Sequence, residues 1–541
     1  LNNDYKIMTR ILAQRLNEAV MEFVSPAQNG FTPRGFIAEN TALLTLLQSS
    51  FSRTAQEKES KGEEANALFI FLDMEKAFDR CSWEYLHSSL SALDFSAESI
   101  KWIKLAYDED NPPTRKILAN GYLGPSFELH SGVAQGCPMS PLLFLCIGEA
   151  LTRLIESDDT IQGIEVKNEI LTYKHKLSQY ADDTVLLCRP ADVDASRKHG
   201  HLKWVRIWEE ATAMRENSSK REALLIGPWR KRPHEAPAGI ADHYAADGEA
   251  IITLGVPIGN ELDIGAWWTG RINTVAIRMG QMRTLAGKSF QARKNVLQTK
   301  WYGSFRYWLF SLCLPKGAKK RIERGANAIL FSNDPEQLLE EEEDGPTTRA
   351  IAGQKERLVP QEQGGLGLMS WGFHCTAFQA QWVVRYLNPS EGPWKQVLDH
   401  WILKDCARGR GIVMNKANKA WNTLPTGAKY FRECFRAFYR MQLQIGPPTK
   451  ATIAEPIFES LRFKVDLDKR RVSKWQKHLG HVCLLRDLVQ KNGEYFTDDH
   501  WEEWYLTLAP DNKVNTPAAH EFATLRRSER PYIMAAIPDD V

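Results

Sequence analysis

Six consecutive apolar residues, Ala67-Leu68-Phe69-Ile70-Phe71-Leu72, end on an aspartate, Asp73. A run this short predicts a buried strand. Two further strand-like runs, residues 176–180 and 184–188, flank Ala181-Asp182-Asp183, which reads as a hairpin with acids at its tip. Carboxylates resist full burial unless they meet a counter-charge, so three of them at strand ends call for a cation. Magnesium suits the role, because it is a hard octahedral ion that prefers carboxylate oxygens, water and substrate phosphates. Two such ions, about 4 Å apart, can activate an attacking 3′-hydroxyl and stabilise a departing pyrophosphate, which is the chemistry of nucleotidyl transfer. Any single Asp can equally be a turn former or a helix N-cap, and spacing alone does not bring the three together.

Around these strands the periodicity is helical. Residues 5–23 put Ile7, Ile11, Leu12 and Leu16 on one face, so a helix is expected up to the Ser25-Pro26 break. Helices also fit 37–51 and 82–93, with the Glu- and Lys-rich stretch 54–64 expected as an exposed loop. The Gly- and Pro-rich stretch 131–140 leads into an apolar helix over 141–155, where Pro141 suits the first turn. A helix over 195–214 and strands at 223–226 and 251–258 complete the mixed region. Beyond residue 260 strands nearly stop, and helical spacing covers 272–285, 291–312 and 319–331 before an acidic loop at 340–344. The expected fold class is α+β. Three regions are expected: a mixed part at 1–260, a helical module at 261–335, and a mostly helical region at 345–541 whose role the residues do not disclose.

Composition narrows the class further. The apolar runs 142–147 and 308–314 are far shorter than the roughly 20 residues a membrane helix needs, so no membrane association is expected. The nine Cys are odd in number and form no CxxC pair, which fits reduced intracellular thiols. His478, His481 and Cys483 lack a second ligand pair, so no zinc is assigned. A net charge of +2 argues neither for nor against a polyanionic partner. Basic residues do cluster locally, and those of 271–324 lie among Trp301, Tyr302, Phe305, Tyr307 and Trp308. The aromatics are expected as core, and Arg293, Lys294, Lys319, Lys320 and Arg321 as contacts to nucleic-acid phosphates. Gly364-Gly365-Leu366-Gly367-Leu368 is not followed by Lys-Ser/Thr and is not assigned a nucleotide. The chain opens at Leu1, without Met or a signal-peptide plan, so a piece of a longer protein is expected. Nothing in the residues fixes an oligomeric state.

Three segments in a fixed order resemble the motifs of reverse transcriptases. Ile70-Phe71-Leu72-Asp73-Met74-Glu75-Lys76-Ala77-Phe78-Asp79 resembles motif A, and Tyr180-Ala181-Asp182-Asp183 resembles motif C. Between them, Gly132-Val133-Ala134-Gln135-Gly136-Cys137-Pro138-Met139-Ser140-Pro141-Leu142-Leu143-Phe144 resembles motif B. Lys76-Ala77-Phe78-Asp79, Gln28-Asn29-Gly30-Phe31 and the opening residues 1–7 are similar to the non-LTR, LINE-type branch. Asn217-Ser218-Ser219-Lys220 resembles motif D, and Leu254-Gly255-Val256-Pro257-Ile258-Gly259 resembles the primer-grip hairpin. The resemblance is strong over 1–260 and weaker to about 400. Arg34-Gly35 reverses the usual Gly-Arg order, Thr253 stands where Tyr is common, and Arg221 stands where a small hydroxyl residue often follows the Lys.

The resemblance implies a right-hand polymerase, with fingers, a palm built on an antiparallel sheet, and a helical thumb. It implies an RNA-directed DNA polymerase whose partners are an RNA template, a DNA primer and deoxynucleoside triphosphates, acting in the nucleus. Asp73, Asp182 and Asp183 would hold two Mg2+ ions, with Mn2+ a possible substitute, and Lys220 would protonate the leaving pyrophosphate. Phe78 would be the steric gate against a 2′-hydroxyl. Gln135 and Gly136 would meet the nucleotide, Arg34 a phosphate, and Leu254 and Gly255 the primer. No acid set for an RNase H and no endonuclease is recognisable. A group II intron-type enzyme and an RNA-binding remnant without catalysis are the competing readings.

Overall fold

A computed structural model of the chain describes residues 2–33, 35–167, 172–282, 289–331, 357–388, 392–403 and 420–441, with Arg410 and Val413. Arg34, the acidic loop at 340–344 and His478, His481 and Cys483 lie outside the described residues.

Helix α1 (Asn3–Phe23) starts where the Asn2 side chain accepts a hydrogen bond from the Tyr5 amide, and α2 (Ala38–Glu59) follows a short loop. Strand β1 (Ala67–Leu72) leads to the short α3 (Ala77–Arg80), then α4 (Trp83–Ala92), capped by Ser82, and α5 (Ala97–Lys104). A hairpin of β2 (Thr114–Ala119) and β3 (Tyr122–Glu128) precedes α6 (Ser140–Ser157). Next come β4 (Ile164–Lys167), β5 (Thr172–His175), β6 (Leu177–Tyr180), β7 (Asp183–Cys188) and α7 (Gly200–Thr212). Strands β8 (Glu222–Ile226), β9 (His243–Ala245), β10 (Ile251–Thr253) and β11 (Val256–Ile258) close the mixed part.

The described remainder is helical: α8 (Ile264–Met282), α9 (Phe290–Val296), α10 (Tyr302–Arg306), α11 (Lys316–Phe331), α12 (Trp371–Leu387), α13 (Pro393–Ile402) and α14 (Lys429–Arg440). Among the described residues no helix is long and apolar enough to cross a membrane.

The main sheet has the order β6-β7-β1-β8-β9, antiparallel except for the β8–β9 pair. Strand β1 lies at its centre, with Leu72 opposite Thr184 on one side and Leu68 opposite Leu225 on the other. Side chains alternate across a strand, so β1 feeds two cores. Phe69 and Phe71 join Val185, Leu187, Leu224 and Ile226 in a cluster with α2. Leu68, Ile70 and Leu72 join Leu186, Cys188 and Leu225 in a cluster with α4, α6 and α7. This two-sided burial is why the run is continuously apolar rather than alternating with polar residues.

The α2 cluster does not stop at residue 260. It continues through Trp268, Trp301, Ile322, Trp382, Trp401 and Phe431. Polar ties accompany it: Trp401 Nε1 donates to Ser50 Oγ at 2.6 Å, Trp382 Nε1 to the Phe310 carbonyl at 2.9 Å, and the Tyr430 hydroxyl to the Leu309 carbonyl at 2.7 Å.

Several elements depart from expectation. Helix α2 runs six residues into the stretch expected as loop, because Ala55 still finds the core and Arg53 pairs with Glu57 one turn on. Helix α7 begins at Gly200 rather than near 195, because the Asp194 carboxylate accepts from the amides of Ser196, Lys198 and His199 and holds a turn there. The strand expected over 251–258 is a tight hairpin whose turn residues, Leu254 and Gly255, have φ of 48° and 72°. The β2–β3 hairpin has no counterpart in the sequence-based expectation. Its side chains are mostly exposed, Tyr122 at 81%, so no buried face imposes an apolar pattern.

Candidate active site

The register of the sheet brings the acids together. Asp73 follows Leu72, whose partner is Thr184, so it ends β1 beside Asp183, the residue before Thr184. Tyr180 pairs with Asp183 and closes the β6–β7 hairpin over Ala181-Asp182, with Ala181 in the left-handed region at φ 58°. Asp183 is exposed and the Asp73 side chain is half-exposed, with Oδ2 3.1 Å from Lys220 Nζ. Crowding by the surrounding protein, then the charges of Asp182 and Asp73, push the Asp183 carboxyl up to about 6. Asp182 is raised for the same reasons, burial first and the Asp73 charge second. Carboxylates that resist ionisation beside one another are stabilised by a cation placed among them. The donors are all carboxylate oxygens on an open edge, which fits a hard divalent ion that keeps water and substrate ligands. Among the described residues, no three acids, His or Cys form a finished metal-ligand cluster as they stand.

Lys220 ends a 3-10 turn, Ser218–Lys220, that is stitched to β1. The Asn217 amide donates to the Asp73 carbonyl, and the Glu75 amide to the Arg215 carbonyl, both at 2.8 Å. The unusual Arg221 is buried, forks onto Glu216 and donates to the Ile240 carbonyl at 2.9 Å, so it anchors this segment from beneath. That is a job a small hydroxyl residue could not do.

On the other side of the acids, the Phe78 ring stacks on Phe144 at 4.8 Å and meets the edge of Phe31 at 6.0 Å. The Val133 amide donates to the Phe78 carbonyl at 2.6 Å, drawing the Gly-rich loop onto α3. A Cβ on Gly132 would fall 2.6 Å from the Asp79 backbone, so this approach requires glycine. Phe78, Gln135, Gly136 and Pro141 line a cavity of about 440 Å³ together with Arg10 of α1. Arg10 is an addition to the sequence-derived set. Nothing in its local sequence separates it from Arg15, and only the packing of α1 on α6 brings it there.

The Leu254-Gly255 turn is held from the helical region: the Tyr307 hydroxyl donates to the Leu254 carbonyl, and Trp308 Nε1 to the Gly255 carbonyl at 3.0 Å. Burial, with Tyr180 and Asp183 nearby, pushes the Tyr307 hydroxyl up to about 12 and marks its closeness to the acids.

Among the basic residues expected at phosphates, Arg321 needs correcting. It is buried and donates to Asn273 of α8, because it lies on the inward stripe of α11 with Ala318, Ile322 and Gly325. Arg293 donates to the Leu330 carbonyl at 3.4 Å and Lys294 to the Leu366 carbonyl at 3.2 Å, both half-buried. Lys319 is half-buried beside Gly372, and Lys320 is exposed.

Adjoining strand ends of this kind, carrying acids beside a Gly-rich loop, are the layout of a nucleotide-polymerising domain. Residues 1–257 match the family described as reverse transcriptase (RNA-dependent DNA polymerase), and this stretch is similar to the non-LTR retrotransposon members of that family. It is 29% identical over 396 residues, 73% of its length, to a 149 kDa protein of transposon TX1 from Xenopus laevis, of which it covers 27%. It is also 29% identical over 180 residues to a retrovirus-related Pol polyprotein from the type-1 retrotransposable element R2 of Nasonia vitripennis, and 27% identical over 179 residues to the type-2 counterpart of Drosophila melanogaster. Each of those alignments takes 33% of this chain and 15% of the relative. The chain thus spans about a quarter or less of the length of these relatives.

Proposed function

We propose that the chain is the RNA-directed DNA polymerase part of a retrotransposon protein, extending a DNA primer on an RNA template during retrotransposition in the nucleus. The observation that carries this reading is the meeting of Asp73 with Asp182-Asp183 at the ends of β1 and β7. These acids would hold two Mg2+ ions, for which Mn2+ could substitute. When bound, the ions supply the charge that favours an ionised 3′-hydroxyl and offsets the charge on the departing pyrophosphate.

The remaining roles belong to the chain's own side chains. Lys220, within reach of Asp73, gives up a proton to the leaving pyrophosphate. Phe78, braced by Phe144, presents a flat ring that a 2′-hydroxyl would strike. Gln135 and Gly136 border the nucleotide in the cavity they share with Phe78, where Arg10 adds positive charge. In this reading residues 1–260 are fingers and palm and 261–335 the thumb, with Leu254-Gly255 as the primer grip. Lys319 and Lys320 then face the duplex backbone. The described helices beyond residue 345 pack on α2.

Primer extension on an RNA template with deoxynucleotides and Mg2+ tests the reading. Asp182→Asn is expected to lose at least about a thousandfold in rate while still binding template–primer, since the site depends on carboxylate charge. Near-parental extension by this variant would refute the metal site. In the same assay Phe78→Ala should admit ribonucleotides; an unchanged deoxy-to-ribo ratio with lowered stability would make Phe78 a packing residue only.

A further inference from the structure

Gln28 has no part in the chemistry above, yet the structure seats it against the acidic hairpin. Gln28 is 5% exposed and lies in the loop between α1 and α2. Its side-chain Oε1 accepts from the Ala181 amide at 2.8 Å and from the Gly30 amide at 2.7 Å, while Nε2 donates to the Ala181 carbonyl at 3.1 Å. One carboxamide therefore satisfies both backbone groups of a buried residue 153 positions away. The loop backbone adds a strand-like splice, with the Asn29 amide donating to the Gln179 carbonyl at 3.0 Å and the Gln179 amide to the Ala27 carbonyl at 2.8 Å.

The Ala181 backbone needs such help. It lies in the left-handed region, which L-residues other than Asn and Asp seldom occupy, and Asp182 and Asp183 follow it directly. A buried amide and carbonyl without partners would favour rearrangement of the turn. Only a side chain with a donor and an acceptor at the same reach can meet both groups. An ionised Glu lacks the donor, Met lacks the donor and offers only a weak sulfur acceptor, and Asn is one methylene short.

We infer that Gln28 is a positioning residue: its carboxamide holds Ala181 in the left-handed turn and so sets how Asp182 and Asp183 present their carboxylates to the metal ions. The inference rests on the metal-site reading of these two acids.

Two variants test it, Gln28→Met and Gln28→Glu, in the whole chain. Mn2+ binding is read from the free-ion paramagnetic signal with template, a dideoxy-terminated primer and deoxynucleotide, so that no turnover is needed. Melting temperature, template–primer affinity and kcat accompany it. Gln28→Met should bind Mn2+ about tenfold more weakly and lose about ten- to a hundredfold in kcat, with template–primer affinity within about twofold of the parent. Extra metal should restore part of the rate.

Gln28→Glu supplies a readout that a merely structural role would not move. Its protonated carboxyl again offers a donor and an acceptor, so its Mn2+ affinity relative to the parent should recover as pH falls. Asp73, Asp182, Asp183, Lys220 and Tyr307 are common to both proteins, so the ratio isolates position 28. Parental Mn2+ affinity in Gln28→Met, or a rate loss that only follows the folded fraction, would overturn the inference. Should Gln28→Met not fold, a pH-independent ratio for Gln28→Glu overturns it equally. If the parent binds no Mn2+, or Asp182→Asn binds as well as the parent, the metal reading itself fails and the inference falls with it. If only the Gln28 variants match the parent, the metal reading stands alone.

Discussion

Replacing Gly30 with Ala tests how tightly the acidic hairpin is held by its neighbours. A Cβ on Gly30 would stand 2.1 Å from the Ala181 nitrogen, 2.8 Å from the Tyr180 carbonyl carbon and 2.9 Å from the Ala181 Cα. Ordinary contact between such atoms is about 3.5 Å, so the closest pair falls short by roughly 1.4 Å, and every atom in the way is backbone. No flexible side chain can yield, so the loop or the Ala181 turn must shift by about an ångström. Overpacking of this kind destabilises by about 1–3 kcal/mol. A misplacement of about 1 Å at a reacting centre can lower the rate about a hundredfold. Gly30→Ala should therefore melt a few degrees lower and extend primer about a hundredfold more slowly, with template–primer affinity nearly unchanged. Gly148→Ala in α6 is the control: an added Cβ meets nothing within 4 Å, so it should be neutral or stabilise by up to about 1 kcal/mol. Steady-state primer extension and thermal melting on both variants decide the matter. Parental kcat in Gly30→Ala would refute the argument that the forced shift reaches the acids.

Four further outcomes concern the charged side chains. The raised Asp183 carboxyl means that the folded protein holds this proton more tightly than the unfolded chain, so stability without metal is greatest below the ordinary value near 3.8 and falls as pH rises through about 6. Asp183→Asn should then melt higher than the parent at about pH 7 in chelator, and no differently below about pH 4. Metal must displace that proton, so Mn2+ affinity should drop about tenfold between about pH 7 and about pH 5, and a flat titration would contradict the shift. Lys319→Ala with Lys320→Ala should flatten the salt dependence of template–primer binding by up to about two phosphate contacts, checked by a salt titration. Arg321→Ala should instead cost about 1–3 kcal/mol of stability in a melting experiment and leave the salt slope alone, because its Asn273 partner is structural.

What the residues disclosed in advance depends on how local the cause is. Strand β1 was legible because burial on both faces leaves a run of six apolar residues with no polar interruption, and Asp73 was conspicuous as its terminus. Residues 180–183 could be read as a hairpin tip for the same local reason. Asp73's neighbour was not legible: that Leu72 faces Thr184 is a matter of register between strands more than 100 residues apart. Nor was the grip of Gln28 on Ala181, since no periodicity links them. Arg321 was legible and misread. Positions 318, 321, 322, 325 and 329 mark one helical stripe, and a lone Arg on it is a buried hydrogen-bonding group rather than a free charge. Arg221 departs from its family pattern for a reason visible only in space, its buried fork with Glu216.

The core shared by α2 and the C-terminal helices has a consequence for how the protein is made. Ser49 and Ser50 of α2 receive Gly427 and Trp401, and Glu39 at its other end pairs with Arg385 at 3.0 Å. During synthesis the sheet and α2 leave the ribosome long before those partners exist. Between residues 260 and 438 lie roughly 180 positions, which at about 5–20 residues per second is on the order of ten to thirty-five seconds. For that interval the nascent chain displays an apolar helix face with nothing to cover it. Chaperone occupancy and aggregation of the newborn polypeptide should therefore peak in this window, and cutting the gene after α11 would make the exposure permanent.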